Sequence, residues 1–352
     1  MIRIKRILAI FCFAFLLLNA FACSSKNEVK NDTSTAVSNE TETTANKKQI
    51  KVVSTIFPIY DIVRNVAPND NYEMTLLLDS GIDIHNFSPT AKDIVKIAEA
   101  DLFIYVGGES DKWVDKVVET AQNKNLKTIN LMNELGNLVK EEEVVEGMQH
   151  EHEEGEEHEH EEGENHEEHE HEEHENDEHI WLSLRNAKAM TNAIVKKLIE
   201  IDSENHTEIQ KKANAFTEKL DALDKKYVEA AQNKKYDTVV FGDRFPFRYL
   251  VDDYGLKYFA AFSGCSAEAE ASFETVVFLA KKLDELGLKH ICALKGAEPK
   301  VAKTVINSSN DKDRDIVLFN SMEGITNVND AENTNYIKIM EENLEAFKNA
   351  IN

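Results

Sequence analysis

From Lys51 onward the chain alternates short β-branched runs with stretches of helical periodicity, and it does so in two separate series. "KVVST", "YEMTLLL", "DLFIYV" and "KTIN" read as strands, with "FPIYDIVRNVA", "PTAKDIVKIAEA" and "WVDKVVETAQ" as helices between them. After Tyr236 the alternation resumes with "DTVVF", "KYFAAF", "HICAL" and "DIVLF" as strands. Such alternation implies βαβ crossovers and a parallel sheet in each series. "RNAKAMTNAIVKKLIEID" and "NHTEIQKKANAFTEKLDALDKKYVEAAQNK", which separate the series, repeat apolar residues every three or four positions and predict long helices. The second would span on the order of 40 Å at 1.5 Å per residue. The expected fold is α/β, with two lobes each built on a parallel sheet flanked by helices and joined by a long rigid backbone helix. The first lobe is placed at residues 50–185, the linking helices at 186–234 and the second lobe at 235–352, and a chain of 352 residues has room for two such cores.

Residues 158–183, "HEHEEGENHEEHEHEEHENDEHIWLS", interrupt the first lobe. Residues 141–179 hold 21 acidic and no basic residues, which leaves −4 of the formal charge of −25 for the rest of the chain. A nearly balanced body argues against nucleic acid as a partner. An insertion this polar, placed at 141–178, cannot bury enough to fold. Its His150, His152, His158, His160, His166, His169, His171 and His174 stand among glutamates, a mixture that suits Zn²⁺, Ni²⁺ and Cu²⁺ as weak, exchanging sites. Its negative potential would concentrate cations over a range of about 8 Å at physiological salt. The plainer reading is a solvated low-complexity insertion. His179 differs from its predecessors because the Ile-Trp-Leu that follows must be buried, so the fold resumes there.

At the N-terminus, "MIRIKRILAIFCFAFLLLNAFA" has basic residues, an apolar run and small residues in the order of a secretory signal, placed at 1–22. Cys23, followed by Ser24 and Ser25, resembles the lipobox cysteine of bacterial lipoproteins, with Ala20 where leucine is usual. The resemblance implies lipidation and anchoring at the outer face of the membrane; plain secretion is the alternative. Residues 23–49, rich in Ser, Thr, Asn and Lys, read as a disordered tether. Cys265 and Cys292 are open to a disulfide, although "HICAL" reads more readily as a buried strand.

Ligands in open α/β sheets bind beyond the carboxyl ends of strands. Two segments there bear histidine: "GIDIHNFSPTAKDI", in which His85 precedes a capped helix, and "DEHIWLSLRNAK", in which His179 borders a core. Either histidine alone is equally well explained as a satisfied loop residue. His206 and His290 are explained by capping and strand-edge placement. Together, "HNFSP", a His-rich acidic insertion, "HIWL" and "RNA" opening a helix resemble the metal-binding solute-binding lipoproteins of zinc and manganese ABC importers, the ZnuA-like family. Ser88 and Ser183 replace acidic residues of that family's motifs.

The resemblance implies that His85 and His179 are metal ligands and that two more come from the second lobe. The third would follow its first strand, where this chain has Gly242, which lacks a donor side chain. Asp243 could reach in from the next position or pair instead with Arg244. The fourth would lie near the end of the last strand, where Asn320 stands. Cys265, in "AAFSGCSAEAEASFET", could complete the site as a thiolate, within the ligand set zinc prefers, or be a small residue packed under a helix. Glu268 and Glu270 could act or merely complement the helix N-terminus.

The function so implied is an extracytoplasmic receptor, expected to be monomeric, that captures Zn²⁺ between two lobes and delivers it to the membrane permease of an ABC importer. An oxygen-rich completion of the site would leave Mn²⁺ open. A secreted zinc hydrolase is the alternative enzyme, disfavoured by the lack of a His-Glu-x-x-His helix, a Gly-x-Ser-x-Gly turn or a base beside His85. A surface metal-buffering or adhesion protein acting through the tract alone is the third reading.

Overall fold

The computed structural model describes residues 49–68, 71–79, 81–121, 123–149, 175–266 and 270–352. The expected strands form two parallel four-stranded sheets. In the first, β1 (Ile50–Ser54) pairs with β2 (Tyr72–Leu76) and β3 (Leu102–Tyr105), and β3 with β4 (Lys127–Asn130), giving the order β2-β1-β3-β4. The second, from β5 (Thr238–Phe245), β6 (Lys257–Ser263), β7 (His290–Leu294) and β8 (Asp315–Phe319), repeats that order as β6-β5-β7-β8. In both, the strand order reverses beside the first strand, and the loops at the carboxyl ends of the strands there can hold a ligand.

The first lobe's crossovers are α1 (Phe57–Val66), α2 (Ala91–Glu99) and α3 (Val114–Thr120), with the short α4 (Leu131–Leu135) after β4. Those of the second are α7 (Arg248–Asp253), α8 (Phe273–Glu285) and α9 (Lys300–Ser308), followed by α10 (Tyr336–Ala350). Between the lobes lie α5 (Leu184–Ile201) and the 27-residue α6 (His206–Gln232). α6 buries Ile209, Ala213, Phe216, Leu220, Leu223, Tyr227 and Ala231, a stripe spaced by threes and fours. It packs against α1 of the first lobe and α10 of the second, where the Tyr227 hydroxyl donates to the Met340 carbonyl at 2.7 Å. One apolar cluster therefore runs from Val52 in β1 to Ile351 beyond α10. No helix of the described residues is long and apolar enough to cross a membrane.

The start of the insertion departs from its expected place. Residues 140–149 leave the first lobe and lie along the second as a strap. The Lys140 amide donates to the Tyr249 hydroxyl at 3.0 Å, and Arg248 donates to the Glu141 carbonyl at 3.0 Å. At its far end the Gln149 amide donates to the Ala261 carbonyl at 2.9 Å, beside β6, and its side chain accepts from Ser272 N at 2.6 Å. Gly147, at φ +79°, lies so close to the Phe278 ring that a Cβ would overlap it. The returning chain pairs with the strap through Glu142 N to Glu175 O at 2.7 Å and Asp177 N to Lys140 O at 2.9 Å. The histidines from His150 to His174 lie outside the described residues, as does Cys23.

Gly242, at the position the family resemblance assigns to a third ligand, sits in β5 against α9. A Cβ there would stand 2.5 Å from Ala302 Cα and 2.8 Å from its amide nitrogen. Packing of backbone on backbone excludes any side chain at this position. Gly242→Ala should destabilise the protein by roughly 2 to 3 kcal/mol, read as a lower urea midpoint at unchanged slope.

Candidate metal centre

His85 is delivered by a one-turn helix, Ile84–Asn86, beyond the end of β2. Asp83 caps that turn, its side chain accepting from His85 N at 3.0 Å, while buried Ile84 anchors it below. His179 comes from the turn that precedes α5, where Ile180, Trp181 and Leu182 are wholly buried and leave the imidazole no exposure either.

The two rings meet. Their Nε2 atoms stand 3.2 Å apart. Each Nδ1 is engaged on the far side: His179 Nδ1 with Asp177 at 2.9 Å, and His85 Nδ1 with the Ser110 hydroxyl at 2.9 Å. Ser110 in turn donates its hydroxyl to Glu178 Oε2 and its amide to Glu178 Oε1 at 2.8 Å. With each Nδ1 engaged on its far side, the two Nε2 atoms face one point, the arrangement that such supporting partners impose on metal-binding histidines. Two nitrogens at zinc bonding distance in a tetrahedral site would be separated by about 3.3 Å, so the observed spacing suits one shared ion.

Two further donors lie beside the ring pair. Cys265 Sγ lies within 4.8 Å of one ring nitrogen of His85 and one of His179. Glu323, in the loop after β8, has Oε1 3.4 Å from His179 Nε2 and 3.6 Å from His85 Nε2. Both Glu323 oxygens are buried without a hydrogen-bond partner. A buried carboxylate in that state is costly unless a cation compensates it. Two imidazoles, a thiol and a carboxylate are a donor set that fits zinc.

The charges are poised accordingly. Burial and the neighbouring His179 push His85 down to about 4. Burial alone would lower His179, yet its contacts with Asp177 and Glu323 outweigh that and carry it up to about 10, so in the metal-free protein its Nε2 holds a proton that an ion would have to displace. Burial would raise Glu323, but His179, Arg244 and His85 hold it at about 2. The Cys265 thiol is pushed well up by burial and by Glu142, Asp177 and Glu178, so an ion would have to displace its proton.

Of the residues expected at the site, His85, His179 and Cys265 are brought together, and Asp243 and Asn320 are not. The Asp243 carboxylate is taken up by the sheet, accepting from Arg244 N at 2.9 Å and from Leu294 N at 3.1 Å. Arg244 pairs with Asp83 rather than with Asp243. Asn320 shapes its own loop: its side chain accepts from Met322 N at 2.8 Å, and its backbone is held on both sides by Asn343. Glu323 takes the place expected of Asn320, three residues later. An acid in "NSMEG", just beyond a strand end, was the available signal, since a carboxylate is a stronger zinc ligand than an amide. Ser110, Asp177 and Glu178 also went unread. Cys265 and Cys292 are both free thiols, Cys292 buried in β7 between Phe241 and Val317, so the disulfide alternative does not hold. Glu268 lies outside the described residues.

Two changes test this shell. Ser110→Ala, which frees His85 Nδ1, should weaken zinc binding by about tenfold in a chelator competition, at the lower end of what such supporting partners contribute. Asp111, buried beside Glu178 and accepting from Gly107 N at 3.0 Å, is pushed up to about 7, first by burial. Its folded-state value lies above the unfolded one, so its contribution is full below about pH 4 and is lost as pH rises to about 7. Asp111→Asn should therefore gain on the order of 2 kcal/mol relative to the parent between pH 5 and pH 8, measured by urea unfolding at each pH.

Residues 52–350 match the family described as zinc-uptake complex component A, periplasmic (ZnuA). The chain is 30% identical over 346 residues to the zinc-binding lipoprotein AdcA of Streptococcus pneumoniae, covering 98% of this chain but 60% of that protein. To the high-affinity zinc uptake system protein ZnuA of Bacillus subtilis it is 28% identical, covering 86% of this chain and 88% of that one. Among solved structures it resembles the Zn(II)-bound ZnuA-like domain of S. pneumoniae AdcA, with a TM-score of 0.65 at 27% identity over 86% of this chain and 99% of that one. The metal-dependent lipoprotein YcdH of B. subtilis gives a TM-score of 0.66 at 25% identity, over 86% and 99%. Two lobes of this topology, with histidines from the first meeting a carboxylate from the second, accompany a sequence match over nearly the whole described fold: the chain belongs to the ZnuA family.

Proposed function

We propose that this protein is the extracytoplasmic solute-binding component of an ABC importer, which captures Zn²⁺ between its lobes and hands it to the permease. His85, His179, Glu323 and Cys265 are the proposed ligands, and Cys23 the proposed lipid attachment point. The observation that carries the reading is the pair of Nε2 atoms 3.2 Å apart, each with its Nδ1 engaged, facing an unpartnered buried carboxylate. The relatives' names add the zinc, since AdcA and ZnuA are called zinc-binding and zinc-uptake proteins. Two imidazoles and a thiol favour zinc over manganese, which prefers oxygen.

A hydrolase reading gains nothing from the site's shape. The cavity that Glu323 lines, with Ile56, Phe57, Trp181 and Met322, holds about 10 Å³. That is scarcely room for one water. That cavity, which His85, His179 and Cys265 do not line, is too small for an organic substrate.

Zinc titration of the metal-free protein should show one tight site and a rise in unfolding free energy of about 4 kcal/mol at a thousand times the dissociation constant. His85→Ala, His179→Ala and Glu323→Gln should each weaken that site by more than about a hundredfold, beyond the range typical of supporting groups. Cys265→Ser should weaken it less, and binding equal to the parent's would remove the thiolate from the set. The strap must stay for the companion test. In a chain lacking only residues 150–174, with Gln149 joined to Glu175 by a short linker, tight binding should persist while weak binding is lost. Loss of the tight site would instead favour a buffer acting through the tract.

A further inference from the structure

Arg244 lies near the end of β5 with its side chain 17% exposed. Its Nη2 is hydrogen-bonded to Asp83 and stands 3.8 Å from Glu323 Oε2, while Nη1 donates to the Ser266 carbonyl at 3.5 Å. Asp83 is the residue that caps the turn bearing His85. One guanidinium thus touches the three segments that carry His85, Cys265 and Glu323.

Apart from the two imidazoles, Arg244 is the cation within 4 Å of Glu323 among the described residues. A guanidinium has no lone pair to offer a metal and does not give up its proton in proteins. It therefore cannot join the coordination shell, nor can it be neutralised when an ion arrives. It can only compensate the carboxylate when the site is empty and oppose the ion when the site is full.

We propose that Arg244 is an internal counter-cation: it holds Glu323 in the metal-free protein and competes with zinc for that carboxylate, which weakens capture and speeds release. Fast release suits a receptor that must surrender its cargo, so this inference rests on the metal-capture reading above. The salt bridge to Asp83 sets the balance, because it keeps the guanidinium at the margin of Glu323 instead of directly on it.

The test uses the full chain, stripped of metal, with Zn²⁺ as the probe. Affinity is read by competition with a chromophoric chelator, and release by stopped-flow mixing with excess EDTA. Arg244→Met should bind zinc on the order of tenfold more tightly and release it correspondingly more slowly. Its metal-free form should melt below the parent, because Glu323 loses its compensating charge. Arg244→Lys, which keeps the charge, should lie close to the parent in both measurements. A merely structural arginine would move stability and affinity down together, so a folded Arg244→Met protein that binds zinc equally or more weakly overturns the proposal. Arg244→Gln, which can still donate to Asp83, serves the same comparison should the methionine variant not fold. Failure of the parent itself to bind zinc would sink the capture reading; a parent that binds, with variants no tighter, would sink only the role of Arg244.

Discussion

The indole of Trp181 fastens the parts of this molecule on which everything else relies. It is fully buried, its Nε1 donates to the Ser321 carbonyl at 2.8 Å, and its own carbonyl accepts the Tyr336 hydroxyl at 2.6 Å. Two residues before it stands His179, and two residues after Ser321 stands Glu323. A single packed side chain thereby fixes the separation between an imidazole of one lobe and a carboxylate of the other. Burial of an aromatic of this size contributes about 3 to 5 kcal/mol, ample to hold two loops in one arrangement.

That arrangement is expensive, and its cost is concentrated where a cation would relieve it. Asp177, Glu178 and Asp111 are buried, yet each accepts a backbone amide, and Glu178 a hydroxyl as well. Glu323 has no such partner. Beside it Met322 adopts φ +64°, the left-handed region that side chains rarely enter, and the Asn320 side chain holds it there. A buried carboxylate that accepts no hydrogen bond and a strained backbone therefore sit side by side in one loop. The strap over residues 140–149 adds a further connection between the lobes, and it brings both ends of the acidic tract to the side of the second lobe on which Cys265 lies.

Much of this was legible beforehand. Alternating β-branched and amphipathic runs gave all eight strands and the two long helices, because periods of 2 and 3.6 are written locally and the core only has to agree with them. His85 and His179 were readable because each lies where a loop meets a rigid helical start. The second-lobe residues were harder. Asp243 and Asn320 sat at plausible strand ends, but a carboxylate or amide there is as useful to its own backbone as to a ligand, and in both cases the backbone won. Glu323 and Arg244 could not be told from ordinary loop and strand charges until the lobes were placed against each other.

The sequence by itself determined two parallel α/β lobes, the long helices between them, the polar composition of the acidic tract and the placement of two histidines beside helical starts. These follow from short-range periodicity, composition and capping, which need no knowledge of distant neighbours. Only the tertiary structure decided which charges share a space: Glu323 across from His179, Arg244 between Asp83 and Glu323, Cys265 beside the ring pair, and Gly242 against α9. Electrostatic and steric compatibility depend on distances of a few ångströms between residues up to about 240 positions apart, and those distances exist only once both sheets have packed against the same helices.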